Sequence, residues 1–263
     1  MLLQGKVIVV SGIGPGLGMQ LAVEAAREGA RAVVLAARTS QKLEEAVENV
    51  RRASAQTEVM MVPTDIRDPQ QCSHLVETAL ARLGHIDALA NNAFEHGPFA
   101  SVENGELTAW RSVYETNVLG SMQMTCAFAP AMRKQGGGAV VMVNTMATVK
   151  PFPGEAGYAT SKGALLTATR YLAMELGPSN IRVNTIRPGW MWGPPVQAYV
   201  EHAARTKGIA QNKITDEIAS RIALRRIVSD RECARAALFL LSDYASGVTG
   251  AVLDVNGGEV TAG

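Results

Sequence analysis

Three cysteines, four histidines and 5% aromatic residues are all that 263 positions supply of the side chains that staple, ligate or stack. Cys72, Cys126 and Cys233 are odd in number, far apart and free of C-x-x-C spacing. Neither a disulfide framework nor a zinc site is indicated, and a reducing compartment is expected. His74, His85, His96 and His202 never fall at i,i+4, so no metal is expected and they read as solvated or hydrogen-bonded surface groups. Basic residues exceed acidic ones by a single charge, which removes the electrostatic case for nucleic acid or an anionic membrane as partner. No apolar run approaches the roughly 18 residues that cross a bilayer. The start, Met1-Leu2-Leu3-Gln4-Gly5-Lys6, lacks the basic and apolar regions of a secretory leader, so a soluble cytoplasmic protein is expected. Linkers, charge blocks and repeats are missing too, and the chain reads as one domain over 1–263.

What remains is 47% hydrophobic and 19% charged, enough for a large two-sided core. Short runs rich in valine and isoleucine alternate with longer segments of helical period, as in parallel strands covered on both faces by crossover helices. Strands are expected over 6–11, 31–37, 58–64, 86–91, 139–144, 182–187 and 252–255. The first crossover helix should run from near Gly16 to Glu28-Gly29, where glycine supplies a left-handed stop. Ser40 is the expected N-cap of the second, with Leu43, Ala46, Val47 and Val50 as its buried stripe. Asp68-Pro69 opens the third, which ends at Leu83-Gly84. Two longer helices are expected over 117–135 and 158–176. Right-handed crossovers on this pattern produce an α/β fold, a doubly wound (Rossmann) parallel sheet of about seven strands. The stretch 190–227 fits least. It carries Pro194-Pro195 and several aromatics without strand alternation, and reads as a substrate lid or, alternatively, a dimerisation arm.

Two motifs point to chemistry. After the first strand comes Ser11-Gly12-Ile13-Gly14-Pro15-Gly16-Leu17-Gly18, a glycine-rich turn leading into a helix. Gly12 permits the sharp turn, Gly16 lets backbone approach a phosphate, and Gly18 allows tight packing of helix on strand. Further on, Tyr158-Ala159-Thr160-Ser161-Lys162 sets a phenol and an ammonium one helical turn apart. The pair is either an ordinary surface contact or a phenol whose charged form is favoured by a neighbouring cation.

Taken together, these features resemble the classical short-chain dehydrogenase/reductase family. The Ser11-Gly12-x-x-x-Gly16-x-Gly18 turn is similar to that family's Thr-Gly-x-x-x-Gly-x-Gly, with serine for threonine. Asn91-Asn92-Ala93 resembles its Asn-Asn-Ala-Gly, with Phe94 in place of glycine. Asn117 falls at its helix asparagine, Tyr158 and Lys162 at its catalytic pair, and Pro188-Gly189 at its Pro-Gly after the sixth strand. The family's catalytic serine lies thirteen places before the tyrosine, where this chain has Thr145. Asn256 stands for the usual aspartate near the C-terminus, and Gly193 for a threonine after Pro-Gly.

The resemblance implies an oxidoreductase that transfers a hydride between a nicotinamide cofactor and a carbonyl compound or secondary alcohol. Tyr158, Lys162, Thr145 and Asn117 would be catalytic: Thr145 binding the substrate oxygen, Tyr158 exchanging its proton, Lys162 holding the ribose, Asn117 positioning a water. Ser11, Gly12, Gly16, Leu17, Gly18, Arg38, Thr39, Asp65, Asn91, Ala93, Tyr158, Lys162, Pro188 and Gly189 would bind the cofactor. The second strand ends in Ala37-Arg38-Thr39 and has no carboxylate for a ribose, so NADP(H) is favoured over NAD(H). Asp65 is expected at adenine, or otherwise as a turn residue. Phe94, Met146, Phe152, Trp190, Trp192 and Tyr199 follow expected strand ends and would form an apolar pocket for a hydrophobic carbonyl substrate. By resemblance the protein would be a carbonyl reductase and a homo-oligomer, dimer or tetramer. The alternative function is a weak or inactive nucleotide-binding sensor or scaffold of the same fold.

Overall fold

The computed structural model describes residues 1–261; the last two positions of the expected domain lie outside the described residues. In chain order the elements are β1 (Val7–Ser11), α1 (Leu17–Arg27), β2 (Ala32–Ala37), α2 (Ser40–Ala53), β3 (Glu58–Pro63), α3 (Pro69–Leu83) and β4 (Ala88–Asn91). They continue with α4 (Leu107–Tyr114), a π-helical turn (Glu115–Gly120), α5 (Ser121–Lys134), β5 (Gly138–Val143), α6 (Ala156–Leu176) and β6 (Ile181–Pro188). The chain closes with β7 (Met191–Trp192), α7 (Pro194–Lys207), α8 (Gln211–Ala219), β8 (Val228–Ser229), α9 (Asp230–Leu241) and β9 (Val252–Val255).

Seven strands form one parallel sheet in the order β3-β2-β1-β4-β5-β6-β9. All seven coincide with the expected ones. β1, β2 and β5 are apolar on both faces because both are covered, whereas β6 also buries Asn184, Thr185 and Arg187. In β1, Ile8 and Val10 pack with α1, α2 and α9, while Val7 and Val9 pack with α3, α5 and α6. Each such side chain contributes about 1.5–3 kcal/mol by leaving water. The order in which strands are added reverses at β1, whose neighbours are β2 and β4, and this opens a crevice at the carboxyl ends of the strands.

Local signals behaved as their chemistry dictates, with three departures. Asp68 caps α3 by accepting from the backbone of Gln70 and Gln71, and Gly84 ends it in the left-handed region. At α2, however, Thr39 rather than Ser40 holds the N-cap position, and its side chain makes no capping bond. The helix expected over 117–135 starts ten residues earlier, at Leu107, and passes through the π-helical turn that holds Asn117. The 190–227 stretch contains α7 and α8, built on the small core of Val200, Ala204, Ile214, Ile218 and Ile222. It also contains β7, which pairs with β8 through Met191 opposite Val228 and Trp192 opposite Ser229.

Candidate active site

The glycine turn is built by close approach. Gly12 has φ +90°, and a Cβ there would stand 2.2 Å from the Ala93 backbone nitrogen. On Gly18 a Cβ would fall 2.2 Å from the Gly12 carbonyl oxygen. Only glycine lets the β1 turn, the β4 end and α1 interlock so tightly. Asn92 completes the lock by donating from Nδ2 to the Gly12 carbonyl at 2.7 Å. At Gly16, by contrast, a Cβ would meet only Pro194 Cδ at 3.7 Å, so the backbone there faces open space. Gly16 is also the N-cap of α1 and brings no capping side chain. The uncapped backbone N–H groups of the first turn point a positive dipole end into that space, an environment suited to a pyrophosphate.

A cavity of about 470 Å³ runs from this turn to Tyr158. Among its lining are Gly12, Gly16, Leu17 and Gly18 at the glycine-turn end. Arg38, Thr39 and Asp65 lie at one mouth, and Pro188, Gly189 and Ala93 along the floor. Thr145, Tyr158, Lys162 and Phe94 line the inner end. Every one of these was expected from the sequence. Ser11 and Asn91 stand behind it instead, fully buried at the ends of β1 and β4. Asn91 donates to Thr125 Oγ1 at 3.0 Å and supports the wall rather than facing the space.

Asn117 is also out of view of the cavity. Its Oδ1 accepts from the Glu95 backbone N–H at 2.8 Å, and its Nδ2 donates to the Glu95 carbonyl and to Ser161 Oγ, each at 2.9 Å. The side chain thus anchors the loop after β4 to α6. Met146 is buried beneath Gly189, where a Cβ would meet its sulfur at 2.9 Å. Phe152, Trp190 and Tyr199 form an aromatic run, with centroids 6.1 Å apart for the first pair and 5.2 Å for the second. Trp192 is 37% exposed at the edge.

Burial governs the two ionisable groups at the inner end. Lys162 is 2% exposed, and desolvation lowers its ammonium to about 7. Its Nζ donates to the Val143 carbonyl at 2.8 Å and stands 5.9 Å from the Tyr158 ring centroid. Desolvation also pushes the Tyr158 phenol above the ordinary tyrosine range; the Thr145 hydroxyl pulls the other way, and Glu155 adds to the rise. The charge state of Tyr158 is therefore sensitive to each polar neighbour, because the site itself opposes charge.

Several lining residues carried no motif. Lys42 and Arg67 join Arg38 at the outer mouth. Arg67 forks onto Asp65, with Nη2 2.6 Å from Oδ2, and with a smaller contribution from Arg38 it holds that carboxyl below its usual range. A basic residue one helical turn after Arg38–Thr39 and another two places after Asp65 were the only hints available. His96, expected as a surface group, is instead three-quarters buried against Tyr158, since the loop after β4 folds back over α6.

A glycine turn at a sheet's switch point, with an uncapped helix end and a tyrosine–lysine pair at the far end of the same cavity, defines a dinucleotide-dependent oxidoreductase of the Rossmann class. Comparison with known proteins narrows this. Residues 12–259 match the family model described as enoyl-(acyl carrier protein) reductase. The 7alpha-hydroxysteroid dehydrogenase of Escherichia coli K12 is 32% identical over 258 residues, covering 98% of this chain and 95% of that protein. L-sorbose reductase from Gluconobacter frateurii, solved with NADPH and L-sorbose, superposes with a TM-score of 0.92 at 29% identity, covering 100% and 99% of the two chains. NAD+-bound xylitol dehydrogenase does so with a TM-score of 0.89 at 31% identity, covering 98% and 100%. The chain belongs to the classical short-chain dehydrogenase/reductase family. It is an NAD(P)(H)-dependent oxidoreductase that moves hydride between the nicotinamide cofactor and a carbonyl or alcohol substrate.

Proposed function

We propose that this enzyme interconverts a hydrophobic carbonyl compound and its secondary alcohol, using NADP(H) in preference to NAD(H). The observation that carries the reading is the convergence of Thr145, Tyr158 and Lys162 on the cavity that begins at the glycine turn. The nicotinamide cofactor supplies or accepts the hydride. Thr145 holds the substrate oxygen by its hydroxyl; Tyr158 gives its proton to that oxygen in reduction and takes it back in oxidation. Lys162 holds the ribose and lowers the cost of charge on the phenol, and Asn117, by fixing Glu95 against Ser161, keeps the loop after β4 in register with α6. Gly12, Gly16, Leu17, Gly18, Ala93, Pro188 and Gly189 bind the cofactor directly, while Ser11 and Asn91 support that surface from behind.

The cofactor preference rests on charge. Arg38, Lys42 and Arg67 gather at the outer mouth, and no carboxylate ends β2. A 2′-phosphate gains a guanidinium fork and an ammonium there, and Thr39 adds a hydroxyl donor. The structural relatives include both an NADPH complex and an NAD+ complex, so the choice lies with these residues.

Phe94, Phe152, Trp190, Trp192 and Tyr199 offer the substrate an apolar, aromatic wall, with buried Met146 behind it and α7 and α8 over residues 190–227 as its lid. The chain is one domain and works as a dimer or tetramer, a reading supported by the outward Tyr171 and Met174 of α6. Unpaired Cys72, Cys126 and Cys233 fit the cytoplasm, and no helix among the described residues is long and apolar enough to cross a membrane.

The test is turnover of a panel of bulky ketones, 7-oxo steroids and sugar ketones with NADPH and NADH. At least one ketone should be reduced, and Tyr158→Phe should lower its kcat by roughly a thousandfold while leaving cofactor binding intact. Turnover unaffected by that change removes Tyr158 from the chemistry. No turnover across the panel returns the sensor or scaffold reading.

A further inference from the structure

His96 lies three residues beyond Ala93, and its ring is sandwiched between two others. One face stacks on Tyr158 with centroids 4.6 Å apart and planes at 24°; the other stacks on Phe99 at 4.2 Å and 25°. Both ring nitrogens face acceptors. Nδ1 is 3.2 Å from the Gly97 carbonyl, and Nε2 is 3.8 Å from Glu155 Oε1. Only the imidazolium carries a proton on each nitrogen, so the carbonyl at Nδ1 and the carboxylate near Nε2 favour the charged ring. Glu155 and the Gly97 carbonyl outweigh burial and raise its pKa.

The surrounding charges are few. Glu155 faces His96 from the turn just ahead of α6. Within the loop itself, the Glu95 carboxylate is occupied by the Ser112 and Thr116 hydroxyls. From α4 comes apolar Val113, in contact range of Gly97. Beyond Tyr158, Lys162 Nζ directs its bond to Val143. Among the described residues Glu155 is thus the carboxylate that acts against a charged Tyr158, and His96 is the cation paired with it.

We propose that His96 is a positioning residue for proton transfer: as an imidazolium it cancels the opposition of Glu155 to charge on Tyr158, and its ring fixes the plane of the phenol. The inference rests on Tyr158 being the proton-exchanging group. It gives the enzyme a second source of positive charge near the phenol, set by a residue of the loop after β4, three places beyond Ala93, rather than by Lys162.

Two measurements test it. In the whole enzyme, imidazole NMR of His96 should show a midpoint above the ordinary histidine range that falls in Glu155→Gln. A midpoint at or below that range in the unmodified protein overturns the proposal without reference to any substrate. In ketone reduction with NADPH, His96→Asn should lower kcat roughly tenfold at pH values below that midpoint, with KM little changed. The two rates should converge above it, and adding Glu155→Gln to His96→Asn should recover most of the loss. Loss of stacking alone predicts a deficit at every pH that Glu155→Gln does not repair, and that result sinks the electrostatic role. If His96→Asn does not fold, His96→Gln replaces it in the same cycle. Should Tyr158→Phe keep its turnover, the function assigned to Tyr158 fails as well. Should Tyr158→Phe be inactive while His96→Asn is unaffected, only this inference falls.

Discussion

Asn92 and Gly12, eighty residues apart in sequence, are joined by a 2.7 Å hydrogen bond that ties the end of β4 to the turn after β1. The bond closes the crevice floor at the sheet's switch point. It also brings Ala93 so near Gly12 that neither segment can move without the other.

Gly12→Ala is therefore expected to destabilise the protein by about 2 kcal/mol or more, since it combines a left-handed backbone with a clash against main chain. Denaturant unfolding and NADPH fluorescence titration check it. Gly16→Ala should fold normally, having only Pro194 nearby, and should lose cofactor affinity instead.

Thr145 stands where a serine is usual, and its hydroxyl already favours charge on Tyr158. Thr145→Ser should match the parent rate within a few-fold, whereas Thr145→Ala should lose about a hundredfold in kcat. Equal rates in all three proteins would remove Thr145 from substrate activation.

The outer mouth predicts a cofactor switch. Arg38→Asp should lower kcat/KM for NADPH by roughly a hundredfold while sparing NADH, and Lys42→Ala should cost NADPH several-fold. An unchanged NADPH to NADH ratio in Arg38→Asp would show that the phosphate is held elsewhere.

Lys162 gives the fold a pH dependence. Its folded pKa is lowered to about 7 from an ordinary 10.5, so between those values the unfolded chain binds more protons than the folded one. By linkage this group's contribution to unfolding free energy rises as pH increases from about 7 toward 10. Urea midpoints of the cofactor-free protein at pH 7 and pH 9 measure it. Lys162→Met should reduce the rise, and an identical pH response in both proteins contradicts the desolvation of this ammonium.

Strands β1, β2 and β5 were legible because each is a nearly continuous apolar run, a pattern imposed wherever both faces of a strand are covered, whereas β6 was legible from its valine and isoleucine despite Arg182, Asn184 and Arg187. The cap at Asp68 and the stop at Gly84 were legible for a similar reason, since both act within a few residues of themselves. The N-cap at Thr39 was missed by one residue: adjacent Thr39 and Ser40 offer the same side-chain chemistry, and neither makes the bond that would distinguish them. The π-helical turn was invisible, because the shift it makes in side-chain register is confined to six residues, too few to alter the hydrophobic pattern.

Local pattern along the chain determined where the strands, the glycine turn and the phenol–ammonium pair fall, since each is a relation between residues a few places apart or a run of one polarity. Tertiary structure alone decided that Lys42 and Arg67 share a mouth with Arg38, that Asn117 braces a loop, and that His96 lies against Tyr158 opposite Glu155. Those contacts join segments separated by tens of residues. They exist only after parallel crossovers have carried the strand ends to one edge of the sheet, where solvent is excluded and a single charge weighs heavily.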